Sequence, residues 1–163
     1  MTVTDAQHEA SRTKSLGELG ELFCLKALVD FKFDSIRNLN DDKMNYPFAD
    51  LLAEKDGKKY VISVKTRNKY KKSGKVNSHY NVLDKKNSYE HAKKAEEKHN
   101  AEAYWMAAQF DNSTYSIYFG ALSELNGSKS ISISKCENNE MGQCLVPNKS
   151  HNFNFNFFTN LPS

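Results

Sequence analysis

Phe48-Ala-Asp-Leu-Leu-Ala-Glu54, Lys55-Asp-Gly-Lys58 and Lys59-Tyr-Val-Ile-Ser-Val-Lys65-Thr-Arg67 follow one another without a break. Asp56-Gly57 between two apolar runs predicts a two-residue type I′ turn, which needs positive φ at both central positions. Pairing then follows: Lys55 opposite Lys58, Ala53 opposite Tyr60, Asp50 opposite Ser63. Because side chains alternate along a strand, Asp50, Ser63 and Lys65 are expected on one side and Leu51, Ile62 and Val64 on the other. A carboxylate, a hydroxyl and an ammonium thus gather at the end of two greasy strands, and function is sought there.

Upstream, Ser15-Leu-Gly-Glu18 reads as a capping box, predicting a helix from there to about Phe31 with residues 1–12 as a polar lead-in. Gly17 and Gly20 each cost a helix about 1 kcal/mol against alanine. They make sense where the helix passes close to a strand or to a substrate backbone. Glu21 is an acid on an otherwise apolar stretch. Phe33 to Leu39 predicts a short strand, and Asn38 to Tyr46 a polar loop.

Downstream of the hairpin, Asp84 is expected to cap a second helix ending near His99, with Ala92 and Ala95 permitting close approach to a sheet. Ala103–Phe110 reads as a buried strand. Thr114–Ala121 reads as a strand with one wetter face, and Ser130–Ser134 as an edge piece. Asn152–Phe157 alternates, so Phe153, Phe155 and Phe157 share a face that should dock on the body or on another subunit, which leaves a homodimer open. The order predicts an α/β sheet with flanking helices in a single domain over 1–163, with its core at about 13–122 and an extension at 123–163.

The 163 residues are 39% hydrophobic and 26% charged, with a formal net charge of +3. That charge is unevenly spread. Lys55, Lys58, Lys59, Lys65, Arg67, Lys69, Lys71, Lys72 and Lys75 stand against a single acid, Asp56, and such a stripe suits a polyanion. Cys24, Cys136 and Cys144 lack CxxC spacing, which fits free thiols in a reducing compartment, the cytoplasm. No window approaches a membrane span, no signal-peptide pattern is present, and the histidines show no metal spacing.

Two acids, Glu21 and Asp50, can hold a hard cation such as Mg²⁺ through oxygen, with the Val64 carbonyl and waters completing the shell. A lysine beside them neutralises charge, and phosphodiester hydrolysis needs that set. The same residues also fit a plain hairpin with an exposed Asp and Lys.

Gly17-Glu-Leu-Gly20-Glu21, Phe48-Ala-Asp50-Leu-Leu-Ala and Tyr60-Val-Ile-Ser-Val-Lys65-Thr-Arg67 together resemble the PD-(D/E)XK nuclease superfamily, in its Mrr-like, Holliday-junction-resolvase-like branch. The resemblance covers roughly residues 13 to 122. It implies a restriction-endonuclease-like αβββαβ core, a mixed central sheet flanked by helices, and Mg²⁺- or Mn²⁺-dependent cleavage of double-stranded or branched DNA. It makes Asp50 the first metal ligand, Glu21 the helix acid and Lys65 the catalytic lysine. The basic loop, with Arg67, Lys69, Tyr70, Lys71, Lys72 and Lys75, is expected to hold the DNA backbone by its charge. One position departs: Ser63 stands where the pattern has its second acid. That keeps open a nuclease-fold protein that binds DNA or assembles without cutting, and, from another class, an interaction protein built on its Phe/Asn tail.

Overall fold

The computed structural model describes residues 5–41, 48–81, 87–111, 114–132 and 151–154. In chain order the elements are helix α1 (Asp5–Asp30), strand β1 (Asp34–Asn38), a 3₁₀ turn (Leu39–Asp41), β2 (Leu51–Lys55) and β3 (Lys58–Asn68). Then come β4 (His79–Asn81), α2 (Ser88–His99), β5 (Glu102–Asp111), β6 (Thr114–Ala121), a second 3₁₀ turn (Leu122–Leu125), β7 (Ser130–Ser132) and β8 (His151–Asn154).

The hairpin forms as its turn chemistry dictates. Asp56 and Gly57 take φ of 51° and 79°, the left-handed pair that a type I′ turn requires. Lys55 pairs with Lys58 and Ala53 with Tyr60. The ladder ends at Leu51–Ile62, and the Asp50 N–H bonds to the Ile62 carbonyl at 2.8 Å. The expected Asp50–Ser63 pair is therefore replaced by a one-residue offset, an irregularity of the kind that re-aims a side chain.

Six strands make the main sheet in the order β1-β2-β3-β5-β6-β8. β3 and β5 are parallel, as a crossover through α2 demands, and the other neighbours are antiparallel. β4 and β7 form a separate two-stranded ribbon. Both faces of the sheet are covered. On one, Cys24, Ala27 and Leu28 of α1 pack with Leu51, Ile62, Val64, Met106 and Ile117. On the other, Ala92 and Ala95 of α2 pack with Val61, Ala103, Trp105, Ala107 and Tyr118. Consecutive β5 residues go to opposite layers, which is why that strand reads as continuously apolar.

Three expectations change. α1 begins at Asp5, not Ser15, because residues 5–14 continue the helix with a Glu9–Arg12 ion pair at 3.1 Å and a Thr13 hydroxyl bonded to the Glu9 carbonyl. The wetter face of β6 is dry: Ser116 and Tyr118 are buried. The second helix starts at Ser88 after a left-handed Asn87; its expected cap, Asp84, lies outside the described residues. In the tail, His151–Asn154 docks on β6, and Phe155 and Phe157 fall outside. Among the described residues, no helix is long and apolar enough to cross a membrane.

Candidate functional site

β3 is paired on both sides only as far as Ile62. From Ser63 to Asn68 it keeps β5 as its neighbour, and along its other side β2 has already ended. The Asp50 side chain takes up that place. Its Oδ2 accepts the Val64 N–H at 2.7 Å and its Oδ1 accepts the Asn40 amide at 3.3 Å. The Leu39 N–H meanwhile binds the Asp50 carbonyl at 2.8 Å. Asn40 arrives because β1 pairs with β2 and delivers the following turn to Asp50. No spacing in the sequence signals it.

Gly20 seats α1 at this open end. A Cβ on Gly20 would fall 1.8 Å from the Thr66 hydroxyl, so only glycine lets the helix come this close to β3. The expectation of a close approach is met at Gly20. Gly17 has open space around it. Glu21, next to the contact, is half-buried, and its carboxyl is raised by burial first, then by the charges of Asp50, Glu18 and Asp41. Cys24, one turn further on, is fully buried and free. Its thiol is pushed up by burial, then by Glu21 and Asp50. Glu21 and Asp50 are thus electrostatic neighbours.

Lys65 is half-buried on β3, opposite Ala107. Ser63 is 3% exposed, opposite Trp105. By alternation both lie on the layer away from Ile62, Val64 and Thr66, whereas Glu21 comes from the α1 side. Among the described residues no group of three or more His, Cys, Asp or Glu side chains is placed to hold a metal ion.

Of the basic residues, Arg67 turns to backbone, its Nη1 donating to the Thr66 carbonyl at 2.9 Å and its Nη2 reaching the Asn81 carbonyl at 3.5 Å. Lys69 lies 4.0 Å from Asp111 and Lys72 3.6 Å from Glu9 of α1. Lys71 and Lys75 are exposed.

A solved structure of the Holliday junction resolvase Hjc from Archaeoglobus fulgidus, an archaeal hyperthermophile, superposes with a TM-score of 0.53 at 18% identity. The match covers 72% of this chain and 89% of that one. It shows the fold: the restriction-endonuclease-like α/β core that the resemblance implied. No protein-family model matches the chain, and no curated protein does either.

Proposed function

We propose that the chain is a metal-dependent DNA endonuclease acting at the open end of β3. One observation carries this reading: where β3 has lost its β2 partner, the Val64 N–H and Asn40 hold Asp50, and Gly20 seats α1, which carries Glu21, against Thr66 of the same stretch. The donor set suits Mg²⁺ or Mn²⁺, which prefer oxygen. A strand residue's N–H and C=O leave on the same side, so the Val64 carbonyl follows its N–H toward Asp50 and supplies a third oxygen. Bound there, the cation would lower the pKa of a water and offset charge building on the scissile phosphate. The protein's own part is positional. Asn40 and the Val64 N–H orient Asp50, Glu21 adds the second carboxylate, Lys65 offers an ammonium to the phosphate, and the lysines after Arg67 hold the flanking backbone.

A second reading is favoured by Ser63. It places a neutral, buried hydroxyl where the superfamily pattern has an acid, leaving the site one charge short. Such a protein would bind DNA or assemble on it without cutting.

Plasmid nicking under a Mg²⁺ titration separates them. If the site is active, Asp50→Ala lowers cleavage by more than about 100-fold, beyond the roughly 10–100-fold that loss of a mere supporting residue costs a metal site. If it is under-charged, the wild type is silent and Ser63→Glu unmasks Mg²⁺-dependent nicking. Undiminished cleavage in both Asp50→Ala and Lys65→Ala would remove the assignment.

A further inference from the structure

The two helices that cover the sheet present different outer faces. α2 turns Glu90, Lys93, Lys94, Glu97 and Lys98 to solvent. α1 instead leaves Leu22 and Val29 exposed, at 61% and 59%. The other exposed large hydrophobics among the described residues, Tyr70 and Val76, lie in the loop after β3. Leu22 and Val29 are two helical turns apart and share a face, with the half-buried Leu25 between them. One exposed leucine is ordinary. An aliphatic strip two turns long, on a helix whose opposite face is already docked, suits a second helix.

The charges around the strip say which helix. Lys14, Glu18, Leu22, Lys26 and Asp30 form one i,i+4 row, and all five are exposed. Their signs run plus, minus, apolar, plus, minus. Turned end for end about a two-fold axis at Leu22, the row is its own complement. Glu18 then lies opposite Lys26, Lys14 opposite Asp30, and leucine meets leucine. Val29 comes beside Ser15, a small exposed residue. A parallel copy in the same register would set like charge against like.

An isologous two-fold interface demands this kind of self-complementarity, in which residue i meets j and j meets i. Two such rows come alongside when helices cross at about 50°, the commonest crossing in globular proteins. Lys26 already pairs with Asp30 of its own helix at 2.5 Å and keeps 52% of its side chain exposed. The second copy's Glu18 would extend that pair into a chain of alternating sign. Leu22 stands about 200° round the helix from Gly20, so a partner on this face leaves the open end of β3 uncovered.

We propose that α1 pairs with α1 of a second copy, antiparallel about a two-fold axis at Leu22. Leu22 and Val29 supply the apolar contact, and the Glu18–Lys26 and Lys14–Asp30 charges set the direction and register. This surface is separate from the Phe/Asn tail, and the inference does not rest on the DNA reading.

Sedimentation equilibrium of the full chain tests it. The wild type should show a concentration-dependent monomer–dimer equilibrium. Glu18→Lys or Lys26→Glu should weaken the dimer by about 10-fold or more, because the axis repeats each altered pair. Both reversals in one chain should recover most of the affinity. So should mixing the two single variants, since one presents only cations at these positions and the other only anions. Leu22→Cys, on the axis, should oxidise to a disulfide-linked dimer well ahead of Lys93→Cys on α2, and ahead of the wild type with its own three cysteines. A wild type that is monomeric at every concentration overturns the inference, as does a dimer indifferent to both charge reversals. Failure of the double reversal and of the mixture to recover overturns it too, by reducing the single effects to general damage. If Leu22→Asn lowers the melting temperature of the monomer without changing its mass, a segment of the same chain covers Leu22 and the inference falls.

Discussion

The two halves of β3 share a strand and differ in almost everything else. From Lys58 to Ile62 it is paired with β2, and from Tyr60 with β5 as well, and its charges are matched. Lys58 pairs with Glu102, donates to the Tyr104 hydroxyl at 3.3 Å, and stands about 5 Å over the Tyr60 and Tyr104 rings. Lys59 reaches Glu54 at 3.8 Å. From Ser63 to Asn68 β2 is absent, the Asp50 side chain stands in its place, and acids lie beside Glu21. Burial together with Asp50, Glu18 and Asp41 drives the Glu21 carboxyl toward its neutral form. Matched charge at one end serves the fold. At the other end, burial and neighbouring acids raise the Glu21 carboxyl.

The contrast breaks most visibly at Gly20. Gly20→Ala puts a methyl into Thr66, and overpacking of this kind costs roughly 1–3 kcal/mol. Thermal melting should fall by several degrees, and, on the proposed endonuclease reading, Mg²⁺-dependent nicking should fall with it as α1 lifts Glu21 away. Gly17→Ala, in open space, should instead raise the melting temperature slightly, because alanine favours helix by about 1 kcal/mol. Equal effects of the two would mean that α1 does not bear on β3.

Glu21→Gln sharpens the electrostatic half of the comparison. A carboxyl whose pKa is raised on folding holds its proton better in the folded state than in the unfolded chain. Stability is therefore lost as pH rises from the ordinary value of 4.5 through the raised one. Glutamine cannot ionise, so the variant should melt higher than wild type at neutral pH, and the gap should close below the ordinary carboxylate range. Mg²⁺ should raise the wild-type melting temperature more than the variant's. Identical pH profiles for the two proteins would show that Glu21 is unstrained.

The smallest effect belongs to the matched end. Lys58→Met keeps the apolar stem and removes the ammonium. With Lys58 and Glu102 46% and 35% exposed, the loss should stay within the 0.2–1 kcal/mol or so of a surface pair. A denaturant midpoint measures it, and DNA binding should not change. A loss as large as that of Gly20→Ala would erase the distinction between the two ends.

What could be read in advance was local. Asp56-Gly57 fixes its turn through two backbone angles, so the hairpin and its register up to Leu51 follow from adjacent residues. The start of α1 did not follow, because Ser15-x-x-Glu18 has the composition of a cap while the residues before it are themselves good helix formers. Ser116 and Tyr118 looked wet because the α2 layer that covers them is assembled from distant segments. Glu21 and Asp50 could be picked out by type, but their nearness depends on Gly20 meeting Thr66. Asn40 depends on β1 pairing with β2. Neither tertiary contact leaves a periodic trace in the sequence. Of the β4–β7 ribbon, β7 lies within the alternating Ser130–Ser134 piece, whereas β4, three residues long, is too short for any pattern.

Trp105, the chain's single tryptophan, is 1% exposed and packs over Gly120, where a Cβ would come within 2.7 Å of the indole. It belongs to the α2 layer, while the aromatic residues of the α1 layer are phenylalanines and tyrosines. Indole emission is consequently an optical gauge of one layer alone. Detachment of α1 would register as lost helical dichroism under an unmoved tryptophan spectrum, and collapse of the α2 side would shift the spectrum to the red. The fold thus carries a separate optical channel for the face away from α1, with no label added.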